Sequence, residues 1–287
     1  MVDSAATRTA FVLAGGGSLG AVQVGMLAEL TTAGERPDLI VGVSAGAINS
    51  AFFAREPSIR TVEQMADLWR TITTRRALGL SWRSLLGVVG VRDHVASLAG
   101  LRSLLTDQLS YRDFAGASVP LYIVCAELIT GEEVVVSRGL VIEAVLASVA
   151  IPGVFPPVSV NDRWLVDGAV AANTPISTAI RLGATRLIVL PAGFACAATR
   201  VSGHALARAM HAITLLGARQ LRQDFDRYAA SVAIHIVPPL CPVGHSSYDY
   251  SHGAELIDRG RASTRDWLDG GGLTRRDFPG PLTVHSH

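Results

Sequence analysis

Residues 39–51 read Leu-Ile-Val-Gly-Val-Ser-Ala-Gly-Ala-Ile-Asn-Ser-Ala. The first five are apolar and largely β-branched, which predicts a buried strand from Leu39 to Val43. Small, helix-compatible residues follow, so Ala45 to Arg55 is read as a helix. Gly42-Val43-Ser44-Ala45-Gly46 therefore places a G-x-S-x-G pattern at a strand-to-helix turn. A serine at such a turn projects its hydroxyl above the sheet, and the small residues beside it leave room for the turn and for a substrate. The adjoining helix N-terminus favours developing negative charge. The bare pattern also fits an inert tight turn, but its strand-and-helix context favours Ser44 as a nucleophile.

Outward from this turn, strands and helices alternate. Phe11 to Ala14 is a short apolar strand, followed by a glycine turn and a helix-like stretch from Leu19 to Thr32. Pro120 to Ala126 and Glu132 to Ser137 are β-rich runs joined by Thr130-Gly131. Arg163 to Val166 ends another short strand. Pro175 to Leu182 has a helical pattern before a strand at Leu187 to Leu190. Ser202 to Tyr228 carries Leu206, Met210, Ile213, Leu221, Phe225 and Tyr228 at helical spacing, and a further helix is expected at Ala254 to Arg259. This alternation predicts an α/β fold with a mostly parallel sheet covered on both faces. No linker or repeat divides the chain, so residues 1–287 are read as a single domain.

Gly15-Gly16-Gly17-Ser18-Leu19-Gly20 also follows a strand and opens a helix. As G-x-G-x-x-G it is a candidate dinucleotide loop, but that reading requires an acid near the end of the second strand. The second strand ends at Ser44, and Asp38 precedes it. An oxyanion hole built from backbone N–H groups fits better. Asp167-Gly168-Ala169 closes the strand at 163–166. Alone it makes a turn; beside an activated serine, Asp167 is a candidate base.

These three pieces, in this order, resemble the patatin-like phospholipase family. Ala147-Ser148-Val149-Ala150-Ile151-Pro152-Gly153-Val154-Phe155-Pro156-Pro157 and Asn173-Thr174-Pro175 extend the likeness, which spans about two thirds of the chain from Phe11 to Pro191. The resemblance implies a three-layer patatin-like fold and a Ser–Asp dyad, with Ser44 as nucleophile and Asp167 as base. It implies an oxyanion loop over Gly15, Gly16, Gly17, Ser18 and Gly20, in which the N–H groups of Gly16 and Gly17 are expected to stabilise the oxyanion, with Gly42, Gly46, Gly168 and Ala169 flanking the reactive residues. It also implies hydrolysis of acyl esters, usually of lipids, without metal or cofactor. Leu19 stands where the family usually has a basic residue, so a neutral-ester hydrolase or an acyltransferase on the same dyad is the alternative to a lipid acyl hydrolase of phospholipase A type.

Composition narrows the rest. With 49% hydrophobic and 17% charged residues among 287, the chain has the makings of a large core rather than of a disordered protein. The net charge of +1 gives no electrostatic footprint for nucleic acid. All 25 basic residues are arginine, which excludes Schiff-base and Walker-type lysine chemistry. Cys125, Cys196 and Cys241 are too widely spaced for a disulfide framework or zinc knuckle. The N-terminus has too short an apolar run for a secretory signal, so the chain reads as cytoplasmic. The apolar window 139–158 contains Glu143 and three prolines, which argues against a membrane span.

A Ser-Asp-His triad is the enzymatic rival, with His204, His211, His235, His245 or His252 completing it. Yet Ser44 has one strand before it, earlier than the α/β-hydrolase order would place it. His245, Asp249 and His252 have residue types that suit zinc, but they share one loop without a second pair, and the segment reads better as the cap of the following helix. The stretch Leu78 to Val91, with Trp82, Leu85, Leu86, Val88 and Val89, reads either as a core helix or as a lid making peripheral membrane contact. A non-catalytic binding scaffold with an inert serine completes the alternatives.

Overall fold

The computed structural model describes residues 7–72, 96–193, 205–244 and 246–282, with backbone alone over 205–211. Its centre is an eight-stranded sheet. In chain order the strands are β1 (Thr9–Leu13), β2 (Leu39–Val43), β3 (Leu121–Glu127), β4 (Glu133–Val136), β5 (Val158–Val160), β6 (Arg163–Asp167), β7 (Arg186–Leu190) and β8 (Ala233–Ile236). Strands β3, β2, β1, β7 and β8 run parallel in that spatial order, while β4, β5 and β6 are antiparallel to their neighbours.

Both faces of the sheet are buried, as a parallel sheet requires. On β1, Phe11 and Leu13 enter one core and Ala10 and Val12 the other, the period-two alternation of a strand. The first core is covered by α1 (Gly20–Thr32), α2 (Ala45–Arg55), α3 (Ile59–Thr71), α4 (Ala99–Gln108), α5 (Val141–Ser148) and α9 (Gly253–Asp269). The second receives α7 (Ile176–Arg181) and α8 (Ala205–Tyr228), through Ile176, Ala179, Leu221 and Phe225. A one-turn helix, α6 (Ala169–Ala172), follows β6. The result is three layers, helices–sheet–helices.

Most expected elements form within a residue or two of their expected bounds. Helices α3, α4 and α5 and strands β5 and β8 were not separately anticipated, and α9 extends ten residues beyond the expected Arg259. In α9, charges such as Glu255, Asp258, Arg259 and Arg265 alternate around a narrow buried stripe of Leu256, Ile257, Gly260 and Thr264. The window 139–158 is a short helix and a turn, and among the described residues no helix is long and apolar enough to cross a membrane. The stretch Leu78 to Val91 and Cys196 lie outside the described residues.

The pairing on β3 positions the site. One edge of β3 is taken by β4 over Ile123–Ala126. On the other edge β2 pairs as far as Val43 with Val124, and the next residue, Cys125, pairs with Asp167 of β6. Strand β6 thus enters where β2 turns away at Ser44. Beneath them, Phe53 of α2 stacks on Phe11 of β1 with ring centroids 6.2 Å apart, both wholly buried. Phe53→Ala is expected to destabilise the chain by about 3–5 kcal/mol through the cavity it leaves. Denaturant unfolding at constant m-value checks this.

Candidate active site

The turn after β2 holds Ser44 at φ 53°, ψ −122°, in a region that side-chain-bearing residues rarely occupy. Several contacts hold it there. Its N–H donates to Ser148 Oγ at 2.9 Å, and that hydroxyl donates in turn to the Val124 carbonyl at 2.6 Å. Its carbonyl accepts from Ala47 and Ile48, the first bonds of α2. Gly46 runs against the end of β1, where a side chain would collide with the Leu13 carbonyl. Gly42 packs on Ser50 of α2.

Ser44 Oγ donates to Asp167 Oδ2 at 2.8 Å. The other carboxylate oxygen accepts from the Ala169 N–H at 2.8 Å, at the start of α6, and Gly168 lies against the Val124 carbonyl. Ser44 and Asp167 are 8% and 3% exposed. Burial drives the Asp167 pKa up to about 6, against the opposing pull of the Ala169 and Ser44 hydrogen bonds. The carboxyl is thereby a stronger base than a solvated aspartate, and it titrates near neutrality.

The glycine loop faces this pair, but not with all of its amides. Gly15 donates to the Asn173 carbonyl at 3.1 Å, and Ser18 to the Ser247 carbonyl at 2.8 Å. Gly20 donates back into the loop, to Gly17 and Ser18. The N–H groups of Gly16 and Gly17, the two expected to meet an oxyanion, have no acceptor among the described residues. Gly17 sits at φ 57°, tight against the Ser247 carbonyl, where a β-carbon would not fit. Gly16 and Gly17 line an open cavity together with Ser44, Asp167 and Asn173.

A family model described as patatin-like phospholipase matches residues 11–180, more than half of the chain. The chain belongs to the patatin-like phospholipase family. It is 33% identical over 170 residues to an uncharacterized NTE family protein of Mycobacterium tuberculosis, covering 57% of this chain and 27% of that one. It is 27% identical over 186 residues to patatin-like phospholipase domain-containing protein 7 of Rattus norvegicus, covering 64% of this chain and 13% of that one. The chain thus spans about a quarter or less of the length of these relatives. Among solved structures, VipD from Legionella pneumophila superposes with a TM-score of 0.47 at 14% identity, covering 92% of this chain and 67% of that chain. Human GIVD cytosolic phospholipase A2 in complex with methyl gamma-linolenyl fluorophosphonate superposes with a TM-score of 0.46 at 12% identity, covering 94% and 60%.

In this patatin-like chain the candidate histidines that are described stand away from the dyad. His235 is buried on β8 with Nδ1 3.0 Å from the Arg275 carbonyl, and burial lowers its pKa. The His252 ring nitrogens lie 3.4 Å from Asp249 and 3.4 Å from Glu255. Neither histidine lines a cavity with Ser44. His204, His245 and the side chain of His211 lie outside the described residues. Among the described residues no cluster of histidine, cysteine and carboxylate has the makings of a metal site.

Other residues at the site carried weaker signals. Ser148 and Asn173 stand in the stretches that carry the family likeness, yet neither was given a role. Ser148 holds the Ser44 turn; Asn173 accepts from Gly15 and packs against Gly217 of α8. The segment 246–250, expected as a helix cap, is also a wall of the site. Ser18 donates to the Ser246 carbonyl through Oγ and to Ser247 through N–H, and Tyr248 and Tyr250 line the space around Ser44. The Tyr250 hydroxyl is pushed up to about 12 by burial and by the Asp167 charge.

The raised Asp167 pKa has a stability consequence. The folded chain holds this proton more tightly than the unfolded one, so stability is lost as pH rises from about 4 through about 6. Asp167→Asn has no such titration. Its melting temperature relative to the wild type should rise from pH 4 to pH 7 and level off above, as thermal unfolding across that range would show.

Proposed function

We propose that this chain is a serine acyl hydrolase acting on lipid or other acyl esters through Ser44 and Asp167. The observation that carries the reading is the 2.8 Å hydrogen bond from Ser44 Oγ to a buried carboxylate at the mouth of a cavity. Ser44 Oγ attacks the ester carbonyl while Asp167 takes its proton. The tetrahedral oxyanion accepts from Gly16 and Gly17, beside the positive end of the eleven-residue helix α2. Asp167 then passes the proton to the departing alkoxide, and a water activated by the same carboxylate releases the acyl group. Family membership supports this chemistry, as do relatives whose names carry the words phospholipase and esterase.

Leu19 is wholly buried, in the place where the family resemblance leads one to expect a basic residue. It offers no charge to a phosphate, so neutral acyl esters belong in the substrate range beside phospholipids. Attack in a Ser–Asp pair needs the carboxylate form, so kcat/KM should fall on the acid side with a midpoint near 6. An acid limb centred near 4 would remove Asp167 as the base.

Intact-mass analysis after treatment with a fluorophosphonate is the direct test. One adduct is expected on the wild type and none on Ser44→Ala. Asp167→Asn should lower turnover by about 10³-fold or more, and the double variant by little beyond either single one, because the pair acts as a unit. A folded wild type that stays unlabelled, with and without lipid vesicles, overturns the reading in favour of a binding scaffold.

A further inference from the structure

Ser44 stands between two cavities rather than at the bottom of one. The first, described above, holds Asp167, Asn173, Thr214 and the glycine loop among apolar walls of Ile151, Val170 and Ile213, and is about as apolar as the second. The second is walled by Ile48, Trp69, Ile72, Leu101, Phe155 and Tyr250. The two share Gly17, Ser44, Ile151 and Tyr248. Gly17 and Ser44 belong to the reacting centre, which leaves the side chains of Ile151 and Tyr248 as the partition.

Proton transfer sets which compartment receives which half of an ester. As the Ser44 Oγ–acyl bond forms and the acyl carbon–alcohol bond breaks, the proton on Asp167 must reach the departing alkoxide. The incoming water must also lie within reach of Asp167. Both the alcohol and the water therefore occupy the Asp167 side, and the acyl chain extends the other way, into the apolar compartment. Its walls suit that occupant, since each methylene placed against them raises kcat/KM by about fourfold.

We infer that Tyr248 is the specificity-determining partition of this site, separating an acyl compartment bounded by Trp69, Leu101 and Phe155 from an alcohol compartment beside Asp167; this rests on the serine-hydrolase reading above. Tyr248 lies outside residues 11–180, the part that the family model matches. Its segment is fastened where it must be. Ser18 holds the carbonyls of Ser246 and Ser247 at 3.2 and 2.8 Å, immediately before Tyr248. Two residues on, Tyr250 stacks on Trp69 with centroids 6.2 Å apart. The partition is therefore tied at one end to the glycine loop and at the other to the acyl-compartment wall.

The test is steady-state hydrolysis of p-nitrophenyl esters from acetyl to palmitoyl by the full chain, with kcat and KM separated and Ser44 labelling by fluorophosphonate followed in parallel. Tyr248→Ala should reduce the spread of kcat/KM across chain lengths by about tenfold, mainly through KM, and Tyr248→Phe should restore it. Leu101→Phe should lower kcat/KM for the longest ester by about tenfold and move the optimum to shorter chains. Val170→Phe, on the Asp167 side, should instead change discrimination between alcohol leaving groups. Labelling and turnover with an unaltered chain-length profile in both Tyr248→Ala and Leu101→Phe would overturn the partition and leave the serine-hydrolase reading standing. A chain-length shift from Val170→Phe with none from Leu101→Phe would overturn the assignment of compartments. A wild type that neither labels nor turns over overturns the hydrolase reading and the partition with it.

Discussion

A carboxylate as deeply buried as Asp167 is unfavourable unless polar hydrogens meet it, and two do: the Ser44 hydroxyl and the Ala169 amide. Much of the architecture around the site serves to bring that carboxylate and that hydroxyl together. Strand β3 does so by lending one edge in succession to β2 and to β6. Helix α6 does so by starting at Ala169, so that its first amide points at the free carboxylate oxygen. The consequence is a carboxyl whose pKa is raised to about 6 beside a hydroxyl that already donates to it.

The second constraint is the backbone of Ser44. A positive φ on a side-chain-bearing residue costs of order 1–3 kcal/mol and persists only when the surroundings over-determine it. Here Ser148 holds the Ser44 amide, α2 holds its carbonyl, and Gly46 allows the helix to begin hard against β1. Ser148 also has a chemical effect, because the amide it occupies is withdrawn from any oxyanion. In the glycine loop, by contrast, the Gly16 and Gly17 amides have no acceptor among the described residues.

A buried polar chain then ties this loop to the walls of the site. Gln23 of α1 donates to the carbonyls of Ala14 and Leu190, at the ends of β1 and β7. Asn49 donates to the Gln23 side chain and to the Gly20 carbonyl, and accepts from the Trp69 indole at 2.8 Å. Every member of this chain has a partner, as a network in a low-dielectric core requires. It joins the loop that faces the candidate oxyanion to the tryptophan that walls the apolar cavity.

The strands, the glycine turn and the Ser44 elbow were legible because their signals are local: apolar runs of five residues, small residues at forced turns, and Gly beside Ser. Ser44 and Asp167 were legible as a pair only through the likeness of the whole motif set to one family, since 123 residues separate them. What the order of residues determined by itself is the α/β layering and, through that likeness, which two side chains form the candidate pair. Tertiary structure alone decided that Ser148 braces the elbow and that Tyr248 lines both cavities at Ser44. Each depends on groups distant in the chain meeting at hydrogen-bonding or packing distance, and such meetings leave no period or spacing in the sequence.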